Sequence, residues 1–330
     1  MSQILGLTCI SEELKDIDKK KYSFQTMTRK RFNDLCNKEG RNEAICQLSE
    51  RILHNVITTA YIVNHCGKSN IGHYRISSAL FPLVTDETLE IDLEELPDIK
   101  EINQGLREVG IIAKTLGVSM GSHPDQFNVL ASLNQDAVRR TIGELNMQAS
   151  VLDMIGLSQD HTAPMNIHIN YTPKIDESLE IVATRFLRNL FMCNAGVYNR
   201  LTIENEDKGF FNVDNCIKFS EYLFAVHGIN IPVCYDNLHD FCNPSKDRSV
   251  AFQAERCAHT WINQGAGDND FIAPVFHWSE GRPDKPRAHA DYFALGNQPP
   301  YIAIDPNRPT KWECEVKQKD KAIKLLKLQI

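Results

Sequence analysis

Short apolar stretches alternate with longer amphipathic segments along most of the chain. The short stretches are rich in β-branched residues, as buried strands are, and the longer ones repeat apolar residues every three or four positions, as helices do. The predicted strands are residues 4–9, 73–77, 117–121, 165–169, 201–204, 231–235, 273–277 and 311–316. The predicted helices are residues 42–64, 98–116, 135–155, 176–195, 213–227, 250–264 and 319–327.

This regular alternation predicts an α/β fold. Strands that are separated by helices imply a parallel sheet with right-handed crossovers. Eight such units favour closure into a (β/α)8 TIM barrel over an open, doubly wound sheet. The length of 330 residues suits one barrel, and no interior segment resembles a linker. We therefore expect a single domain over residues 1–330.

Composition and charge limit the class of protein. The chain is 42% hydrophobic and 24% charged, which is enough apolar material for a sizeable core, and its formal net charge is −7. This charge argues against a protein that coats polyanions in general, for which a basic domain is expected. It does not exclude a nucleic-acid enzyme, because cations bound at an acidic metal site restore positive potential locally.

The cysteines and the amino-terminal sequence bear on location. Ten cysteines are scattered without C-x-x-C spacing, which predicts reduced thiols in a cytosolic protein. The start, MSQILGLTCISEE, lacks the basic region of a signal peptide, and no apolar run approaches the roughly 20 residues of a membrane helix. We expect a cytoplasmic protein, without membrane association and monomeric.

Three polar segments fall outside the predicted helices and strands. The basic stretch 15–31 is either a nucleic-acid contact or only a solvated loop. Residues 281–286 and 298–309 are predicted to be long loops, which in a barrel usually serve the site.

Charged and imidazole side chains stand at the ends of six consecutive predicted strands. They are His123, His168, Glu204, Asp236, His277 and Glu315, at intervals of 45, 36, 32, 41 and 38 residues. Each interval is about one βα unit, so these side chains should converge at the carboxyl face of the barrel, where the sites of this fold lie.

Two further histidines, His239 and His289, follow the sixth and seventh predicted strands. Imidazole and carboxylate ligands suit zinc, manganese, iron or related divalent ions. Eight such ligands exceed what one catalytic ion uses, which implies two or three ions, with Glu204 and Asp236 as the natural bridges. Phosphodiester hydrolysis is the reaction that most needs closely spaced divalent ions.

The chain also carries a set of motifs that are specific in combination. They are YRISSALFP, SHPDQF, NIHIN, LTIENED, YDNLHD, FHWSEGRPDKPRAHADY and EVKQKDKAI. With them the chain resembles the UV damage endonucleases, barrel enzymes related to the endonuclease IV group of AP endonucleases. The resemblance runs from about residue 6 to residue 328.

The resemblance implies incision of double-stranded DNA immediately 5′ to a cyclobutane dimer or 6-4 photoproduct, leaving a 3′-hydroxyl and a 5′-phosphate. It implies a cluster of divalent ions, usually manganese, with zinc as an alternative. The eight residues above match the family's metal ligands. Of these, Glu204, Asp236, His277 and Glu315 are the expected catalytic set.

Gln126 and Phe127 match a Gln–aromatic pair of the family that resembles a probe of the duplex. An aromatic wedge can unstack a base step, and damaged pairs cost less to open. The alternative is that Phe127 is a buried anchor of its loop. Arg75, at the end of the second predicted strand, is either a phosphate or site-organising contact or a salt-bridge partner inside the barrel.

Three positions depart from some family members and leave the lesion range and metal preference open. They are Val275, where some relatives have lysine, Ala79, where some have His or Asp, and Leu7, where some have Tyr. Two other enzymes fit the same ligand set, an AP endonuclease of the related group and a metal-dependent sugar isomerase or epimerase. A non-enzymatic binding module leaves the ligands unexplained.

Overall fold

The computed structural model describes residues 3–125, 128–246, 249–263 and 270–329. The strands are β1 Ile4–Thr8, β2 His73–Ile76, β3 Ser119–Ser122, β4 Met165–His168, β5 Leu201–Glu204, β6 Val233–Cys234, β7 Ile262–Asn263, β8 Asp270–Phe271, β9 Val275–Ser279, β10 Gly281–Arg282, β11 Lys285–His289 and β12 Lys311–Glu315. The α-helices are α1 Glu12–Ile17, α2 Lys19–Tyr22, α3 Arg29–Glu39, α4 Arg41–Lys68, α5 Ile99–Leu116, α6 Gln135–Ile155, α7 Leu179–Leu190, α8 Ala195–Tyr198, α9 Val213–His227, α10 Asn237–Cys242, α11 Val250–Ala258 and α12 Lys319–Lys327. Short 3-10 turns span Ser78–Leu80, Leu93–Glu95 and His259–Trp261.

Eight parallel strands form one sheet in the order β6-β5-β4-β3-β2-β1-β12-β9. The first and last strands of this order, β6 and β9, meet just beyond the end of β6, where Asp236 forms a parallel bridge with His277. The backbone N–H of His277 donates to the carbonyl of Tyr235 at 2.9 Å. This seam closes the sheet, so the predicted α/β barrel is confirmed.

The two faces of the barrel strands carry different chemistry. On the outer face, the rings of Phe276 and Trp312 lie 5.5 Å apart and those of Trp278 and Trp312 lie 5.4 Å apart, in edge-to-face contacts. The alternate residues His277 and Glu313 point into the barrel and are also buried. Barrel interiors are usually filled by branched apolar side chains. Here the polar interior leaves the hydrophobic core to the layer between strands and helices.

Glycine and capping residues account for the shifted element boundaries. Gly117, at φ +67°, ends α5 in the left-handed conformation, so β3 begins two residues later than predicted. The helix predicted at 176–195 is shorter than expected and ends at Leu190. Asn194 accepts from the N–H of Val197 and starts α8 as a separate helix. The helix predicted at 250–264 ends at Ala258, and residue 264 lies outside the described residues.

Two segments predicted to be loops contain regular structure. The basic stretch 15–31 includes the end of α1, all of α2 and the start of α3. The segment 281–286 belongs to an antiparallel hairpin of β10 and β11, whereas 298–309 contains no helix or strand, as predicted.

Two expectations from the sequence concern features that the fold shows directly. The ten cysteines are free thiols. None of the helices that the structure describes has the length and hydrophobicity of a transmembrane span.

Arg200 fastens the end of α6 to the start of β5. Its fully buried guanidinium donates to the carbonyls of Leu157 and Ser158 at 2.9 and 2.8 Å and to the carboxylate of Asp153 at 2.6 Å. We expect Arg200→Met to lower the free energy of unfolding by about 3 kcal/mol, because it removes the buried guanidinium that donates to these three acceptors. Urea unfolding measures the loss. The exposed Arg188 on α7 supplies the control, and an equal loss in Arg188→Met would contradict the assignment.

Candidate metal centre

Glu204 occupies the centre of the barrel mouth, at the end of β5. Its carboxylate is buried and lies between four imidazoles. One oxygen is 3.1 Å from His123 Nε2 and 3.8 Å from His168 Nε2, and the other is 3.0 Å from His239 Nδ1 and 3.1 Å from His277 Nδ1. One carboxylate is thus shared by histidines from four separate segments.

Asp236 and Glu315 complete the far side of this cluster. His277 Nδ1 lies 3.7 Å from Asp236 and 3.8 Å from Glu315, and Glu315 lies 3.7 Å from His289 Nε2. Asp236 is also the N-cap of α10 and accepts from the backbone N–H of His239 at 2.8 Å. This cap fixes the first turn of α10, so that Asp236 and His239 present their side chains together.

Seven of the eight predicted ligands fall into overlapping triads. Within each triad the ligand atoms lie within 4.8 Å of one another. The triads are His123, His168 and Glu204; Glu204, Asp236 and His239; and Asp236, His277 and Glu315. Glu204 belongs to the first two and Asp236 to the last two, and His289 adjoins the third through Glu315. The structure therefore brings the whole predicted set together.

The remaining predicted residues have different outcomes. Gln126 and Phe127 lie outside the described residues. Arg75 points into the barrel, where its guanidinium pairs with Glu313 at 3.0 Å and with Glu315. This is the salt-bridge alternative, and it lets Arg75 hold a predicted ligand in place.

Several buried polar residues of the site were missed by the sequence analysis. Glu313 accepts from His73 Nε2 at 3.0 Å, from Arg75 and from His277, whose Nε2 is 3.2 Å away. The side-chain amide of Asn166, on the neighbouring strand β4, donates to the carboxylate of Glu204. The signal was the two-residue period of a strand, because Glu313 precedes Glu315 by two positions and Asn166 precedes His168 by two.

The cysteines were interpreted from the sequence only as reduced thiols, yet the thiol of Cys234 lies in this centre. Its sulfur, a carboxylate oxygen of Glu204 and a ring nitrogen of His277 lie within 4.8 Å of one another. Cys234 is buried, two residues before Asp236, and therefore on the inward side of β6.

Comparison with known proteins identifies the family of this centre. The family model described as UV-endonuclease UvdE matches residues 3–330. The chain belongs to the UV-endonuclease UvdE family. Membership places it among DNA repair endonucleases for UV damage, which are nucleases that act on DNA.

Curated relatives agree with this membership, and solved structures share the fold. A UV DNA damage endonuclease of Nostoc sp. is 30% identical over 264 residues, covering 78% of this chain and 73% of the relative. One of Bacillus cereus is 25% identical, covering 92% and 87%. The crystal structure of SacUVDE superposes with a TM-score of 0.76 at 23% identity, covering 99% and 98%. Endonuclease IV of Thermus thermophilus shares the fold with a TM-score of 0.51 at 14% identity, covering 82% and 93%.

The departures of this UvdE-family chain can now be located. Leu7 is fully buried and pairs in register with Tyr74 and Cys314, so it offers no contact surface for DNA. Val275 is buried in β9, and Ala79 lies in the 3-10 turn after β2.

The charges of the centre support one another in the metal-free protein. Burial opposes ionisation of Glu204, but His277, His168 and hydrogen bonds from His123 and His239 outweigh it and hold its pKa well below the usual range. Burial lowers the pKa of His168 to about 4, so this ring is neutral at pH 7.

His239 and His277 behave in the opposite way. Burial disfavours their charged forms, yet the pKa of His239 is raised to about 10, chiefly by Asp236 and Glu204. The pKa of His277 is raised well above its ordinary value by Cys234, Glu204 and Glu315 against the effect of burial. Two imidazolium charges thus balance the carboxylates.

The residues present fit a cluster of divalent ions. His277 Nδ1, which faces Glu204, is a buried atom without a hydrogen-bond partner in the described part of the chain, and such atoms are rare unless another ligand satisfies them. His123 Nδ1 donates to the carbonyl of Pro124 at 2.9 Å, which leaves Nε2 free to face Glu204 as a ligand atom.

Metal binding by the metal-free protein should release protons. A ligand imidazole must be neutral, and His239, with a pKa of about 10, is charged at pH 7.5, as is His277. We expect release of about two protons and tighter binding as the pH rises from 6 toward 9. Calorimetry of Mn²⁺ binding in buffers with different ionisation enthalpies measures the release. His239→Asn should release about one proton fewer, and equal heats in all buffers would contradict the prediction.

Proposed function

We propose that this chain hydrolyses the phosphodiester immediately 5′ to UV photolesions, both cyclobutane dimers and 6-4 photoproducts. The products carry a 3′-hydroxyl and a 5′-phosphate. The observation that carries the proposal is the set of overlapping triads, in which Glu204 and Asp236 are each shared between two groups of ligand atoms. Shared carboxylates are the arrangement that closely spaced ions need for an in-line phosphoryl displacement.

We propose that the seven residues of these triads, together with His289, hold two or three divalent ions, with manganese the first candidate and zinc the second. Bound divalent ions activate water and stabilise charge on the phosphate oxygens. Glu204 and Asp236, which each belong to two of these triads, would be shared between the ions. Both are buried, so the protein, and not solvent, determines their orientation.

Other residues of the chain keep the proposed ligands charged and oriented. Burial opposes ionisation of Glu315, but Arg75, His277 and His289 keep its pKa well below the usual range, so the carboxylate stays charged. Glu313, which accepts from His277 Nε2, turns the Nδ1 atom of that ring toward Glu204. His289 contacts Glu315 at the more exposed edge, where the leaving 3′-oxygen is expected. No separate proton-transfer side chain is required.

We assign lesion recognition to the Gln–aromatic pair, Gln126 and Phe127, which lies three and four residues after His123 in the sequence. An aromatic wedge beside an amide opens a base step, and a damaged step opens at lower cost. The substrate is damaged duplex DNA, and selectivity arises from deformability.

Phe127→Ala should lower the ratio of incision on dimer DNA to incision on undamaged DNA by about tenfold or more, because base stacking is lost. Competition between the two duplexes in one reaction measures the ratio. Metal content should remain unchanged. A fall in metal content would instead assign Phe127 a structural role in its loop.

The function is tested by incision of a duplex with one thymine dimer, with Mn²⁺ and with EDTA, beside an undamaged and an abasic duplex. A Mn²⁺-dependent cut directly 5′ to the dimer is the expected result. Cleavage of the abasic duplex alone would move the function to that of an AP endonuclease. Cleavage of none would overturn the nuclease function and favour a sugar isomerase or epimerase.

A further inference from the structure

Lys319, the first residue of α12, has an unfavourable backbone conformation. Its φ is +47°, in the left-handed region that side chains other than those of glycine, asparagine and aspartate rarely adopt. The junction that imposes this conformation is held on both sides. Lys317 and Gln318 donate their backbone N–H groups to the carbonyls of Ala290 and Asp291, each at 3.0 Å. Strain of this kind persists where the surroundings fix it, and it is frequent at functional sites.

The strained backbone directs the amino group of Lys319 to the barrel mouth. Its Nζ donates to Thr8 Oγ1 at 2.9 Å. Thr8 is fully buried at the carboxyl end of β1 and pairs in register with Arg75. Paired residues of neighbouring parallel strands face the same side, and Arg75 faces the interior, where it contacts Glu315. Thr8, which accepts from the ammonium of Lys319, therefore faces the barrel interior beside Arg75.

This ammonium has no anionic partner. Among the described residues no carboxylate oxygen lies within ion-pair distance of Lys319 Nζ, although the side chain is half-buried. The carboxylate of Asp320, the next residue, turns away to the backbone N–H groups of Glu12 and Glu13. Thr8 accepts only one of the three protons of the ammonium. This half-buried cation lacks a counter-charge and lies beside the proposed phosphodiester site. A phosphate group would supply the complementary charge.

We propose that Lys319 binds a backbone phosphate of the incised DNA strand at the barrel mouth, and that its strained backbone is what aims the ammonium there. This inference rests on the proposed function, since it names a substrate contact of the same site. The contact is a charge-assisted hydrogen bond to a non-bridging phosphate oxygen, which carries no sequence information. It raises affinity equally for damaged and undamaged DNA.

Lys319→Met tests the charge, since it keeps most of the side-chain stem and removes the ammonium. We expect KM for the dimer duplex to rise about tenfold, with kcat nearly unchanged. The slope of log affinity against log salt should become shallower by about one. The ratio of affinities for damaged and undamaged duplexes should not move.

Lys317→Met is the matched control. Lys317 is a lysine of the same junction, but it is exposed and pairs with Asp291 at 3.4 Å. This variant should keep the wild-type KM and salt dependence. An equal rise of KM in Lys317→Met would overturn the specific assignment to Lys319 and leave only the general basicity of the junction.

Lys319→Gly separates the contact from the fold. Glycine adopts a positive φ without strain, so this variant should melt at or above the wild-type temperature and still show the raised KM. A lowered melting temperature with a wild-type KM would overturn the inference and make Lys319 a structural residue.

The failure of this inference differs from the failure of the proposed function. If Lys319→Met and Lys319→Gly both incise DNA like the wild-type protein, with unchanged KM and salt dependence, this inference is overturned and the proposed function stands. Absence of incision by the wild-type protein overturns the proposed function and this inference with it.

Discussion

Glu204→Gln is expected to lower single-turnover incision of dimer DNA by about a thousandfold or more and to abolish tight metal binding. The reason is geometric, because the Glu204 carboxylate contacts four histidines and belongs to two triads at once. A glutamine amide offers one neutral oxygen and cannot bridge. Metal content after dialysis, measured by elemental analysis, accompanies the rate. A normally folded Glu204→Gln variant with wild-type incision would refute the proposed mechanism.

The same substitution should destabilise the metal-free protein. His239 and His277 are charged there and would lose their shared counter-charge, and breaking a buried ion pair costs about 3–5 kcal/mol. Unfolding in EDTA measures this loss. Glu144→Gln is a suitable control, since Glu144 is a half-buried carboxylate of α6 that, within the described part of the chain, accepts from the Thr85 hydroxyl and from Gln148. It should change neither incision nor metal content.

Glu313→Gln is expected to weaken metal binding by about 10–100-fold, the usual effect of losing a partner that orients a ligand. Glu313 accepts from His277 Nε2 and so turns Nδ1 toward the centre, and it also holds Arg75, which pairs with Glu315. Incision by this variant should recover at high Mn²⁺ concentration, because the ligands themselves remain. Glu204→Gln should not recover in this way.

A titration of incision rate against Mn²⁺ concentration distinguishes the two variants. Glu313→Gln should shift the midpoint and approach the wild-type maximum, whereas Glu204→Gln should stay low at every concentration. An unchanged midpoint in Glu313→Gln would show that His277 needs no orienting carboxylate. A low plateau would instead make Glu313 part of the reacting centre.

The barrel and the convergence of the strand-end residues could be predicted because both depend on local patterns. Strand ends in a parallel barrel meet at one face whatever the details of packing, so the spacing from His123 to Glu315 was sufficient. The polar residues deeper inside the barrel were not predicted. Glu313 lies on the same face of β12 as Glu315 but two residues deeper in the barrel, whereas the prediction rested on polar residues at the strand ends.

Cys234 and Arg75 show where pattern alone is insufficient. A cysteine reads as a small apolar residue, and its place beside Glu204 and His277 depends on how three separate strands pack. The sequence could not decide between two roles for Arg75, because the choice depends on whether Glu313 lies within reach across the barrel.

The helices α1 to α3 were missed because tertiary contacts stabilise them more than their own pattern does. In α3 only Phe32 and Leu35 are buried, which is too sparse a stripe for a periodic signal. The hairpin of β10 and β11 was hidden by its glycine and prolines, which read as a loop.

The seam of the barrel lies between two of the predicted metal ligands. Asp236 and His277 form the bridge that joins the outer strands, and the hydrogen bond from His277 to Tyr235 lies beside it. Ions held by both side chains, as proposed, would therefore link the two outer strands of the fold as well as bind the substrate. Ligands that bind only the folded state stabilise it, so metal starvation should loosen this seam before the rest of the barrel. We then expect the supply of metal to influence how long the protein survives proteolysis, independently of any damage in DNA.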